Sequence, residues 1–277
     1  MFSRILAALD GSPHGEAALS HALRIARASG GTVRGVHVVD RSLLESSVVA
    51  DLSGAVGFQP FLNMTAELRR ALVSAGEAII AGFEARARDS GVSFTSALQE
   101  GRVADILEGE ARASDLVAAG SRGTNASHRG ELIGRHADAL ARRLHAPLLL
   151  SPDNDTPFSR PVLAYDASPK AQQALALVAD LARLLGLPVT VLTVTPDEAQ
   201  GKARLAEAEG ILRERGVATQ GRLRRGHPDE AILEELSQGA DLIAIGAHGH
   251  GRIVELVLGS TTDRVLRRAG VPVLCAG

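Results

Sequence analysis

The residues best suited to chemistry lie in two short segments near the end of the chain. One is a glycine-rich turn in which Gly246 and Gly249 are three positions apart, and the other is Gly259-Ser260-Thr261. Glycine tolerates positive φ and leaves the backbone bare, so a bulky anion can approach the amides of the turn. The second segment precedes a predicted helix, whose N-terminal N–H groups bind phosphate without a lysine. Together the segments indicate a site for a phosphate-bearing ligand.

A carboxylate and two histidines accompany these segments. Asp166 ends a short apolar run. It could hydrogen-bond the following turn, or it could contact phosphates through Mg²⁺. His248 and His250 flank one glycine, but no third ligand follows at metal spacing, so we interpret them as loop histidines rather than zinc ligands.

The segments that must position these residues occur twice in the chain. Asp10 and Asp166 both end an apolar run before Ser-Pro, and they are 156 positions apart. Further along, Gly101 and Gly226 correspond at a separation of 125. The first copy therefore carries about 31 additional residues, which we place at 41–72. A period of this size indicates a domain duplication rather than a solenoid.

Each copy is predicted to be a Rossmann-like α/β domain, covering 1–152 and 160–277, with the polar, proline-bearing run 151–157 between them. Short apolar runs alternate with helical patterns, which is typical of a doubly wound, parallel, five-stranded sheet flanked by helices. Ser12 and Ser168 precede a proline and are expected to be helix N-caps. In the second copy we expect strands at 161–165, 189–195, 219–223, 242–246 and 271–276, and helices at 169–185, 229–237 and 261–268.

Such sheets bind ligands beyond the carboxyl ends of their strands, where the strand order reverses. In the second copy the first strand ends at Asp166, the second near Val194 and the fourth at Ile245. We therefore expect these three positions to surround the phosphate-binding segments.

The chain resembles the universal stress protein family. The spacing Gly246-x-x-Gly249, nine residues and then Gly259-Ser260 is similar to that family's nucleotide-binding pattern, and the likeness extends over both copies. It implies an ATP- or AMP-binding protein with Val194 presenting its backbone to adenine. By the same resemblance the nucleoside would contact Ala164, Tyr165 and Asp166, the ribose and phosphates would contact Ile245, Gly246, His248 and Gly249, and the phosphate tail would contact Gly259, Ser260 and Thr261.

The first copy departs from that pattern. Ten residues separate Gly123 from Gly134, and Arg135 replaces the hydroxyl residue. A second site could still form there, with phosphates attracted by the arginine side chains at 122, 129 and 135 rather than by a backbone nest. Its residues would be Asp10, Val38, Gly120, Gly123 and Gly134.

Three interpretations are open for the insertion at 41–72. It could be a lid over the first-copy site, a dimer contact, or a loop packed on its own core. Its apolar centre favours packing or a dimer contact, because an apolar loop exposed to water would be prone to aggregation. A long amphipathic helix is expected at about 65–89.

Composition excludes several classes of protein. The 277 residues are 45% hydrophobic with a net charge of −2, so neither disorder nor a basic nucleic-acid surface is expected. Cys275 is the single cysteine, which leaves no internal disulfide. No signal peptide or spanning segment is recognisable, so we expect a cytoplasmic protein with neither nucleic acid nor membrane as a partner.

A ligand-regulated binding module is therefore the leading hypothesis for function. Neither a P-loop nor a nucleophile elbow is present, and no dedicated general base is visible. The alternatives are a weak Mg²⁺-dependent ATPase or adenylyl-transfer enzyme, and an interaction protein whose site is vestigial. The two copies could form an intramolecular pseudo-dimer by pairing 147–150 with 272–274, and a homodimer of chains is also open.

Overall fold

Strands and helices alternate through both halves of the chain. The computed structural model describes residues 2–44, 58–123, 133–246 and 258–277. The first half contains β1 (Arg4–Leu9), α1 (Pro13–Ser29), β2 (Thr32–Asp40), α2 (Arg41–Leu44), α3 (Phe58–Asp89), β3 (Ser93–Gly101), α4 (Val103–Ala111), β4 (Leu116–Gly120), α5 (Arg135–Arg143) and β5 (Leu148–Ser151). The second half contains β6 (Pro161–Ala164), α6 (Pro169–Leu185), β7 (Val189–Val194), α7 (Glu198–Glu214), β8 (Thr219–Arg224), α8 (Pro228–Ser237), β9 (Leu242–Gly246), α9 (Ser260–Arg268) and β10 (Val273–Ala276).

The first long helix of each half begins and ends where its sequence predicts. Ser12 accepts a hydrogen bond from the Gly15 amide, and Ser168 does the same for the Ala171 amide. Gly30 adopts φ 67° at the end of α1, and the corresponding glycine, 186, adopts φ 68° at the end of α6. These N-caps and left-handed C-caps satisfy backbone groups that the helix itself leaves unpaired. The predicted helix at 169–185 is confirmed.

The ten strands of the described residues form one continuous sheet in the order β3-β2-β1-β4-β5-β10-β9-β6-β7-β8. Within each half the five strands are parallel, as predicted, and the order reverses at β1/β4 and at β6/β9. The two halves meet where β5 and β10 pair antiparallel, with Leu149 opposite Leu274. The predicted pairing of the two final strands is therefore confirmed. It removes one exposed edge from each half.

A hydrophobic core covers each face of the sheet and runs through both halves. Helices α5 and α9 lie side by side across the joint, where Arg142 bonds both Asp138 and Asp263. Arg267 approaches the same two carboxylates from α9. Partly exposed ion pairs of this kind contribute little each, but the network fixes the two helices relative to one another.

Some boundaries differ from the prediction. Helix α3 begins at Phe58, earlier than 65, and β8 continues to Arg224. Helix α7 was not predicted, because only Gly201, Ala208 and Leu212 are buried along it and so it lacks a continuous apolar stripe. The run 151–157 lies between the halves as expected, with 153–157 exposed, and its role as a domain boundary stays a prediction.

Candidate functional site

A cavity of about 290 Å³ lies at the carboxyl ends of the strands in the second half, beside the N-terminus of α9. This is the reversal point of strand order, where open α/β sheets bind ligands. Every predicted second-half residue that the structure describes lies on its wall. These are Ala164, Tyr165, Asp166, Val194, Ile245, Gly246, Gly259, Ser260 and Thr261, while His248 and Gly249 lie outside the described residues.

The turn after β9 and the start of α9 face this common space. The buried Thr262 hydroxyl donates to the Gly246 carbonyl at 2.9 Å and ties the two segments together. Gly259 is the extended N-cap of α9, and no side chain caps this end of the helix within the part of the chain that the structure describes. The first amides of α9 are therefore available to an anionic ligand or to water.

Gly246 is required for a reason that the sequence did not show. It is not among the described glycines with positive φ, so the tolerance of glycine for that conformation is not used at this position. A Cβ built on Gly246 would instead lie 2.8 Å from the Lys170 Cβ and 2.9 Å from the Lys170 carbonyl carbon. Gly120 has the same role in the first half, where a Cβ would lie 2.7 Å from the Gly15 nitrogen. Both glycines let a strand end pack against the first turn of a helix.

Asp166 shapes the turn that leaves β6. Its Oδ1 accepts from the Ser168 amide at 2.9 Å, and Ala167 between them adopts φ 63°. The side chain is exposed at the cavity wall. The structural role that the sequence suggested for Asp166 is thus present, and a role towards phosphate stays a prediction.

Tyr165 lines the cavity, and its hydroxyl is hydrogen-bonded to a residue of α7. That hydroxyl donates to Glu207 of α7 at 2.8 Å, and the ring is buried. Burial, with the Glu207 carboxylate second, raises the pKa of Tyr165 above its ordinary value. The Tyr165 carbonyl accepts from the Thr193 hydroxyl at 2.9 Å. The phenol is a structural support of this strand end.

The apolar end of the cavity includes residues that the sequence reading missed. Pro228 and Ile232 of α8 face Leu192 across the strand ends. They are four positions apart on one helix face, so their spacing could have indicated this wall. Together with Ala164 and Val194 they line the apolar end of the cavity, which we call the slot.

A second cavity, of about 510 Å³, occupies the corresponding place in the first half. All five residues predicted for a second site line it, namely Asp10, Val38, Gly120, Gly123 and Gly134. Arg135 is also on the wall. Arg122 lines a separate cavity of about 150 Å³ with His14, so its role towards phosphate stays a prediction, and position 129 lies outside the described residues.

The first cavity also contains a pair that was not predicted. His136 Nε2 lies 3.5 Å from Asp40 Oδ2, and Asp40 is only 8% exposed. Burial lowers the pKa of His136, and the Asp40 carboxylate opposes that change. Leu72, Ala75 and Ile79 of α3 complete the wall. Leu72, the last residue of the insertion, therefore lines this cavity, and because 45–57 lie outside the described residues the three interpretations of the insertion stay open.

Across residues 2–44, 58–123, 133–246 and 258–277, no three His, Cys, Asp or Glu side chains are grouped so as to hold a metal ion. Over the same ranges, no helix is both long enough and apolar enough to cross a bilayer.

Comparisons with known proteins agree on one family. The sequence profile described as the universal stress protein family matches residues 1–152 and 197–276. Universal stress protein Slr1230 of Synechocystis is 30% identical over 285 residues, covering 98% of this chain and 98% of its own. A universal stress protein of Mycolicibacterium smegmatis is 27% identical, with coverage of 98% and 95%. The crystal structure of a universal stress protein from Archaeoglobus fulgidus superposes with a TM-score of 0.72 at 20% identity, covering 99% of this chain and 96% of that one.

Proposed function

This chain belongs to the universal stress protein family, and from that premise we propose that its second half binds an adenine nucleotide, ATP or AMP, as a regulatory ligand. One observation carries the proposal. The strand end at Gly246 and the N-terminus of α9 line a single cavity. An anion in that cavity meets backbone N–H groups and the positive end of a helix dipole.

The other walls suit the rest of the ligand. Adenine has flat, apolar faces. The slot offers them an apolar lining that includes Ala164, Val194 and Ile232. Ser260 and Thr261, the first two residues of α9, also line the cavity. The volume of about 290 Å³ is near the lower limit for small-molecule sites, which favours one mononucleotide.

Mg²⁺ would enter with the phosphates rather than as a resident ion. Asp166 is exposed at the cavity wall. A carboxylate together with phosphate oxygens is an ordinary magnesium environment. We place the protein in the cytoplasm as part of the same proposal, where it would meet its nucleotide.

Calorimetric titration of the full chain with AMP tests the proposal against a matched control. Ala164→Val adds two methyl groups inside the slot, and Ala8→Val adds them at the equivalent wall of the first cavity. Overpacking costs about 1–3 kcal/mol, so Ala164→Val should weaken AMP at least about fivefold. Ala8→Val should leave that affinity unchanged. The reverse pattern would contradict the assignment to the second half.

The two alternatives give different outcomes. If freshly purified protein releases no nucleotide on denaturation, and neither AMP nor ATP·Mg²⁺ raises its melting temperature, the site is vestigial and the proposal is wrong. If ATP·Mg²⁺ is turned over faster than a few times per minute, and Asp166→Ala abolishes that turnover, the protein is an enzyme rather than a binding module.

A further inference from the structure

The two cavities share one part and differ in another. The shared part is the slot, in which Ala8, Val103 and Leu107 occupy the places of Ala164, Pro228 and Ile232. The first cavity continues past the slot into an apolar lobe, defined by Leu72, Ala75 and Ile79 of α3 with Val39 of β2. Among the described wall residues of the second cavity, none belongs to α7, the helix equivalent to α3.

The lobe results from a change of residue type at equivalent positions. Gly76 packs on Leu98, and Gly201 packs on Leu223, so α3 and α7 correspond at a separation of 125 positions. At that separation Leu72, Ala75 and Ile79 replace Asp197, Gln200 and Arg204. At these three positions the first half is apolar and the second half is polar.

The apolar stripe continues outward along α3. Leu68 lies one turn before Leu72, and it is 39% exposed, more than any other large hydrophobic residue that the structure describes. Positions 68, 72, 75 and 79 repeat at three- and four-residue spacing, so they share one helix face. The lobe therefore has an apolar floor and an apolar rim, which suit a hydrocarbon rather than a sugar or a phosphate.

The charged end of the first cavity also differs from its counterpart. Arg135 and His136 at the start of α5 replace Ser260 and Thr261, and Ala137 replaces Thr262. Asp40, which accepts from the Ser42 amide at 3.0 Å, occurs where the second half has Pro196. Compared with the second site, the first site lacks three hydroxyl donors and has an additional guanidinium and a buried carboxylate. A doubly charged phosphate suffers more from that added negative charge than a single carboxylate does.

We propose that the cavity of the first half binds an apolar carboxylic acid, with its hydrocarbon in the lobe under α3 and its carboxylate between Arg135 and the N-terminus of α5. The volume of about 510 Å³ is ample for an alkyl chain of medium length. The chain would then respond to two chemically different ligands, one in each half.

A series of straight-chain carboxylates tests the hydrocarbon part. Hexanoate, octanoate and decanoate are titrated calorimetrically into the full chain. Each added methylene buried in the lobe should tighten binding up to about fourfold. Decylamine should bind at least tenfold more weakly than decanoate. Affinity that is independent of chain length, or equal affinity for the amine, would overturn the proposal.

Variants locate the bound acid. Ile79→Arg introduces the residue found at the equivalent position of the second half, and it should weaken decanoate at least tenfold. Leu72→Asp is the second variant, and melting curves show that each remains folded. The matched control, Arg204→Ile, should leave decanoate affinity within twofold of wild type. Unchanged binding in folded Ile79→Arg and Leu72→Asp would overturn the assignment.

Competition keeps this proposal separate from the nucleotide proposal. Saturating AMP should not displace decanoate, and Ala164→Val should bind decanoate normally while binding AMP at least about fivefold more weakly. Displacement by AMP would make the first cavity a nucleotide site and contradict our inference. A chain that sediments as a dimer and binds none of the acids would assign the lobe to a contact between two copies, which would also contradict it.

Discussion

Acidification should loosen the contact between α1 and the segment that joins the two halves. His21 of α1 is 0% exposed and stacks on Phe158 with ring centroids 4.5 Å apart. Its Nε2 lies 3.3 Å from the Asn154 carbonyl, and its Nδ1 lies 3.2 Å from Arg24 Nη1. Since a carbonyl only accepts and a guanidinium only donates, these partners fit the neutral ring with its proton on Nε2. Protonating Nδ1 would bury a charge and set two donors against each other.

The size of the effect follows from the pKa of His21. Burial, the largest cause, lowers it from 6.5 to about 4, with Arg24 adding to the decrease and the Asn154 carbonyl and Asp155 opposing it. The folded state therefore binds this proton less readily than the unfolded state. The stability that the folded state gains by keeping His21 neutral is fully present above pH 6.5, and it is lost as the pH falls towards 4. The complete loss is about 3 kcal/mol, of which about 2 kcal/mol falls between pH 7 and pH 5.

Urea denaturation between pH 7 and pH 4.5, followed by circular dichroism, measures this loss. His21→Leu introduces the residue found at the equivalent position of the second half, Leu177, which is also buried. The variant should lose about 2 kcal/mol less than wild type between pH 7 and pH 5. His227→Gln removes an exposed imidazole and should keep the wild-type slope. If His21→Leu and wild type show the same pH dependence, the reasoning from burial is refuted.

Three further substitutions or reactions probe the packing. Gly246→Ala should lower the free energy of unfolding by about 1–3 kcal/mol in urea titrations, because the new Cβ meets Lys170, and no loss would contradict the close approach. Phe83→Ala should cost about 3–5 kcal/mol, because the buried Phe83 ring fills the space over Gly35, and a cost below 1 kcal/mol would show that the site collapses freely. Cys275 should resist a thiol reagent at pH 8 until the protein unfolds, because burial raises its pKa to about 12; rapid labelling of the native protein would contradict this.

The elements that were predicted well have local signals at both ends. Helix α6 has Ser168 and a proline at its start and Gly186 at its end, and these residues fix its limits whatever it packs against. The strands inside the sheet are apolar runs because both sheet faces are covered, whereas β3 and β8 at its edges are more polar. The wall residues at the strand ends of both cavities were predictable for a related reason, since the carboxyl ends of parallel strands converge at the point where strand order reverses.

What the sequence did not predict depends on partners that are distant in the chain. The Gly246 backbone is set by its contact with Lys170, and local spacing does not show that contact. Helix α7 depends on a few buried positions against the sheet rather than on its own pattern. Likewise the sequence of α3 indicates only an amphipathic helix, and the fold is needed to show that Ile79 lines the cavity of the first half.

The placement of phosphate in the second half is tested most directly by a crystal structure of the full chain with AMP. We predict AMP in the cavity of the second half, with phosphate oxygens about 2.7–3.1 Å from the backbone nitrogens of Ser260 and Thr261. AMP bound only in the first half, or with its phosphate directed away from the N-terminus of α9, would contradict the account.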